Sequence, residues 1–300
     1  MDIIKKVFKN AGVIILSIVI FIIGDTIGGL TNMFISGDGL QTVIYATVRI
    51  AVTMVLAGFV SYRLLKMDPD ELGIKIKPID IRLVVLAIAL PVAVLLFYAY
   101  ILPGKPYIAK QGEFWGSLIK AVFGTGITAG ICEELVFRGM IFRYMKKTLG
   151  IKAAVITPAI LFACLHIMNM EKFDIVDVTI LILAGSSVAV MFTLFALSSG
   201  SIYPGALSHT LWNTLIIGGI FGIGEIVNGT ANDSYIIIPV EYGQKLLTGG
   251  NFGVEASIPS IIGYIVVIIF IAIYMKAGNK RLKKETVKTV KNAHSFKNHM

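Results

Sequence analysis

The 300-residue sequence predicts an all-α fold, a polytopic membrane bundle of about eight transmembrane helices. Three observations carry that expectation. The chain is 56% hydrophobic and only 15% charged, and its mean hydropathy is +0.83, well beyond an ordinary soluble domain. Apolar stretches near the ~20 residues needed to cross a ~30 Å hydrocarbon core recur along its length. Basic residues collect at the ends of those stretches, where topology rather than nucleic acid explains the net charge of +9.

In chain order the expected spans are residues 12–30, 42–64, 81–102, 114–145, 153–170, 176–198, 202–224 and 258–275. The first follows Lys5, Lys6 and Lys9, but no small-residue cleavage site comes after it, so it reads as a retained helix and not a signal peptide. The fourth is unusually long. With both termini in the cytosol, about 21 of the 27 Lys and Arg residues fall on the inner side and about four on the outer side. The inner connections are then 63–82, 138–152 and the short Ser199-Gly200-Ser201.

Residues 1–279 read as a single transmembrane domain, followed by a basic cytosolic tail, 280–300, suited to anionic lipid. Cys132 and Cys164 lie in apolar stretches as small buried side chains, and no disulfide framework is indicated. The outer segment 225–257 holds two formal glycosylation sequons, at Asn228 and Asn232, which carry no meaning in a bacterial host, and a glycine-rich turn region at 247–253 to which the sequence attaches no function.

Ionisable groups inside a bilayer are costly, so they mark function or a buried partner. Arg49 and Lys120 stand alone in sequence and are expected to snorkel or pair internally. Three other helices share a concentration of such groups: Glu133, Glu134 and Arg138 in the fourth, Phe162 and His166 in the fifth, His209 and Asn213 in the seventh. Glu134 and Arg138 are four residues apart and share a helix face, which predicts an ion pair. Glu133 is rotated about 140° from Arg138 and is left available. At 1.5 Å rise per residue, Glu133 and His166 both lie about 20 Å from their inner boundary markers, while His209 and Asn213 lie roughly 12 to 18 Å in. The four can therefore converge.

Their chemistry follows from residue type. A desolvated carboxylate beside an imidazole suits a general base for water, which casts Glu133 and His166 in that role. The N–H donors of His209 and Asn213, one turn apart, suit the oxyanion of an acyl-transfer intermediate. Two other readings remain open from the residues alone: a hydrogen-bonded network that only stitches helices together, and a divalent metal such as zinc on Glu133, His166 and His209. The His-Glu-x-x-His zinc signature is absent, so no metal or other cofactor is the favoured expectation.

Glu133-Glu134-x-x-x-Arg138, Phe162-x-x-x-His166 and His209-x-x-x-Asn213, in this order on separate apolar helices, resemble the three motifs of the CAAX protease and bacteriocin-processing (CPBP, or Abi) family. The resemblance covers 114–224. It implies about eight membrane helices around a cavity open to the cytosol and bilayer, water activation by Glu133 and His166, an oxyanion site at His209 and Asn213, a site wall at Phe162, and structural support from Glu134 and Arg138. The family is often labelled metalloprotease, although a glutamate-dependent mechanism needs no metal. The function expected is an intramembrane endopeptidase acting on a membrane-associated peptide or protein, in contact with lipid and without nucleic acid. The Ile- and Lys-rich composition leans bacterial, and the expected location is the plasma membrane with both termini cytosolic. The alternative is a non-proteolytic bacteriocin-immunity or scaffold protein.

Overall fold

The computed structural model describes residues 2–76, 78–102, 104–109, 113–167, 174–224, 234–240 and 244–297, with side chains for all of these except 2, 3, 162, 163, 165, 166 and 279–297. The longer helices are α1 (Asp2–Leu30), α2 (Asp38–Arg63), α3 (Ile81–Tyr100), α4 (Phe114–Leu149), α5 (Ile151–Ile167), α6 (Ile175–Ser199), α7 (Tyr203–Trp212) and α8 (Ile258–Lys297). Among the described residues six of them are long and apolar enough to cross a membrane. The shorter two are α5 and α7, both of which carry motif residues. The chain is a multi-pass membrane protein with an all-α core.

Sequence and structure differ in four places. Of the two cysteines expected to be buried, Cys132 is, but Cys164 on α5 is exposed. The seventh apolar run does not stay helical to 224: α7 widens into a π-turn at Asn213–Ile217, stops at Gly218 and Gly219, and leaves Phe221–Gly224 as a strand. Apolar content alone could not separate strand from helix there. The long α4 is not regular either. It contains π segments at Lys120–Ile127 and Leu135–Ile141, flanking the α-helical stretch Thr128–Glu134 that carries both glutamates. Finally, α8 continues as helix through the basic segment to Lys297. The sequons at Asn228 and Asn232 lie outside the described residues.

Three short strands, β1 (Tyr107–Ile108), β2 (Phe221–Gly224) and β3 (Ile236–Pro239), pair in the order β1-β3-β2 at one end of the bundle, called here the sheet end. The opposite end is tied by Lys147 to Glu71 at 3.0 Å, by Thr148 to Asn10 at 2.8 Å and by Tyr274 to Asp80 at 3.2 Å. The start of α1 and the Tyr274 turn of α8 therefore share an end. Asp80 caps α3 through the Arg82 N–H, and Asp174 caps α6 through the Val176 and Asp177 N–H groups. Gly200, at φ 69°, closes α6 and permits the tight turn into α7.

Arg49 and Lys120 both pair internally, Arg49 with Asp25 at 3.0 Å and Lys120 with Asp38 at 2.9 Å. Buried apolar side chains from α3, α6, α7 and α8, among them Leu90, Phe192, Trp212 and Tyr264, form the largest core cluster. A second joins α1, α2 and α4. Val55, Phe59, Ile262 and Phe270 stay exposed on the outer faces of α2 and α8, as lipid-facing positions require.

Candidate active site

Close approach of α4 and α7 makes the site possible. A Cβ on Gly130 would collide with Thr210 Oγ1 and stand 2.8 Å from the Ala206 carbonyl oxygen, and one on Gly126 would collide with Thr214 Oγ1 and stand 3.0 Å from the Thr210 carbonyl oxygen. Gly126 and Gly130 are thus the small-x-x-x-small face by which membrane helices pack backbone to backbone. Gly205 of α7 adds a third gap, since a Cβ there would lie 3.1 Å from Glu134 Oε2. These gaps set the two glutamates against His209.

Glu134 is fully buried and does two things with one oxygen. Its Oε1 accepts a hydrogen bond from Arg138 Nη1 at 3.0 Å and lies 3.2 Å from His209 Nδ1. Arg138 also donates to the Ala189 carbonyl of α6 at 3.2 Å and lies over the Phe192 ring at 5.1 Å. The same ring meets His209, stacked at 5.0 Å between centroids and 14° between planes. The imidazole is held in both position and tilt.

Glu133 is turned the other way, with its side chain 19% exposed where Glu134 is at 0%. Its Oε2 is 3.9 Å from His209 Nε2. With Glu134 ionised beside Arg138, the Nδ1 proton of His209 belongs on the Glu134 side, so Nε2 is a lone pair in the neutral ring and a second donor in the imidazolium. Asn213, the first residue of the π-turn, is buried and lines the same cavity as His209. π-turns of this kind recur at functional sites because they re-aim a side chain without ending the helix.

Phe162 and His166 fall within α5, and their side chains lie outside the described residues. Among the described residues no three His, Cys, Asp or Glu side chains group to hold a metal ion. Glu133 Oε2 and His209 Nε2 make a two-donor set that would need a third ligand, the place His166 fills in the metal alternative.

One acidic residue at the site was not expected. Glu255 belongs to the 3-10 turn Val254–Ala256, between β3 and α8, and lines the cavity with Ser208, His209, Trp212, Asn213 and Tyr264. Burial pushes its carboxyl up to about 7, opposed by His209 and reinforced by Glu133. No motif marks it. The Gly126-x-x-x-Gly130 spacing, by contrast, was readable in the sequence as a helix-contact signal.

The segment 115–215, which holds all three motifs, matches the model of the Rce1-like family, described as type II CAAX prenyl endopeptidase Rce1-like. No curated protein and no solved structure matches the chain. Over residues 115–215 the chain is thus similar to the CAAX protease family whose three motifs it carries.

Proposed function

We propose that this protein is an intramembrane endopeptidase in which Glu133 and His166 activate water and His209 and Asn213 hold the oxyanion. The observation that carries the reading is the setting of His209, with a buried carboxylate on Nδ1 and a second, accessible carboxylate 3.9 Å from Nε2. In that setting Glu133 takes a proton from water as the hydroxide oxygen attacks the scissile carbonyl carbon. The carbonyl oxygen becomes the oxyanion, received by Nε2–H of the imidazolium and by the Asn213 amide. Collapse breaks the C–N bond, and the proton held by Glu133 passes to the departing amine.

No metal enters this scheme, and both termini are placed in the cytosol of a bacterial plasma membrane. The substrate is a peptide or protein presented from the membrane: the end of a lipid-modified protein, a leader peptide or a bacteriocin.

The test uses proteoliposomes and a quenched-fluorescence library of membrane-anchored peptides. Glu133→Ala and His166→Ala should each lower kcat by about 100-fold or more, and Asn213→Ala by about 100-fold, with melting temperatures near that of the unaltered protein. Full immunity or regulatory function in well-folded Glu133→Ala and His166→Ala proteins would replace this reading with the binding-protein alternative. Stoichiometric zinc lost together with activity on chelation would replace the metal-free scheme.

A further inference from the structure

The cavity beside His209 does not stop at the imidazole: it extends along α6 from Phe192 past Val188 and Ala184 to Leu181, against Leu90 of α3. Nearly all of that wall is apolar. Its polar groups are few and two are buried without a hydrogen-bond partner among the described residues: Ser208 Oγ and Trp212 Nε1. Both atoms are sealed off from the open space, so neither competes for what enters it.

Glu255 is put into this cavity by construction. The turns that carry it run through Gly249 and Gly250, both at positive φ, and a Cβ on either would collide, with the Gly253 carbonyl oxygen and with Asp177 Oδ1 respectively. Asp177 of α6 accepts from Asn251 Nδ2 at 2.6 Å. Tyr98 of α3 donates to the Leu247 carbonyl at 2.5 Å, Ser260 of α8 to the Val254 carbonyl at 2.6 Å, and Tyr264 to the Glu255 carbonyl at 3.2 Å. Three helices hold the backbone, and the Glu255 carboxylate itself makes no hydrogen bond or ion pair among the described residues. The rings of Trp212 and Tyr264, 5.5 Å apart, line the space with it. Every element of this arrangement except α6 and α7 lies outside the matched segment 115–215.

An apolar sleeve with a carboxylate and aromatic rings is the complement of an alkylammonium, since the stem is buried on hydrocarbon while the charge meets Glu255 and the ring faces. We propose that this cavity is a specificity subsite for a lysine-class side chain of the substrate, with Glu255 receiving its ammonium and the apolar wall and the rings of Trp212 and Tyr264 receiving its stem. The part played by substrate rests on the endopeptidase reading; the affinity for an alkylammonium does not.

The experiment separates the two. Thermal shift of the purified protein at pH 8 is recorded with n-hexylammonium chloride and with n-hexanol, for the unaltered protein, Glu133→Ala and Glu255→Gln. The ammonium is expected to stabilise the first two at concentrations about tenfold lower than the alcohol does, and Glu255→Gln to respond to both alike. Equal response of the unaltered protein to both probes, which needs no folded variant, overturns the subsite, as does a preference retained in Glu255→Gln. In parallel, two anchored peptides differing only by lysine or norleucine are compared. A kcat/KM ratio of about ten that falls to about one in Glu255→Gln, through KM, supports the proposal. Cleavage without lysine preference overturns the subsite and keeps the endopeptidase. Ammonium selectivity without cleavage of any peptide supports the cation site and removes the endopeptidase.

Discussion

Glu134 Oε1 stands 3.0 Å from Arg138 Nη1 and 3.2 Å from His209 Nδ1, so a single buried oxygen joins the ion pair of α4 to the imidazole of α7. The spacing of four residues predicts the first contact and says nothing of the second. The consequence is that the residue assigned to structural support also fixes the tautomer of the residue assigned to catalysis.

Glu134→Gln should therefore do two kinds of damage. It leaves the fully buried Arg138 charge without its carboxylate, a loss of about 3–5 kcal/mol, and removes the anion that holds the Nδ1 proton of His209. A lowered melting temperature in detergent together with a lowered kcat in the folded fraction is the expected pair of outcomes. A large loss of kcat with no change in melting temperature would contradict the clamp.

Phe192→Leu keeps an apolar side chain but removes the ring that stacks on His209 and lies beneath Arg138. Ring pairs and cation–π contacts are each worth about 0.5–1.5 kcal/mol, so kcat should fall several-fold while the fold survives. Unchanged kinetics would show that Glu134 alone orients the imidazole.

Gly130→Val is expected to be far more severe. Its branched side chain would have to enter the space of Thr210 and the Ala206 carbonyl, driving α7 from α4 and Glu134 from His209. The measurement is yield of monodisperse protein, with Gly12→Val, where nothing lies within 4 Å, as the tolerated comparison.

Stability should fall with acid at the Lys147 end. The Asp68 backbone N–H and then Lys147 hold the Glu71 carboxyl below its ordinary value of 4.5, with burial opposing weakly. A depressed carboxyl contributes stability that is fully present above its unfolded pKa and is lost as pH falls through the folded one. The melting temperature should accordingly drop on going below about pH 4.5, and Glu71→Gln should flatten that part of the profile. The magnitude is small because Glu71 is 40% exposed.

What the sequence determined by itself was everything that depends on periodicity, apolar length and spacing within one helix: an all-α membrane bundle, the Glu134–Arg138 pair at i, i+4, and His209 with Asn213 on one face. Those are local quantities, fixed by 3.6 residues per turn and the thickness of a bilayer. The end of α7 was not legible, because an isoleucine-rich run is equally apolar as strand or helix and the choice was made by Gly218, Gly219 and pairing with β3. Only the tertiary structure decided which atoms meet across helices: the second contact of Glu134, the ring of Phe192 under His209, and the arrival of Glu255 from a turn more than forty residues beyond Asn213 in the chain. Such contacts depend on how closely two backbones approach, which here is set by the missing Cβ atoms of Gly126 and Gly130 and by glycines that let the 249–253 turns fold inward.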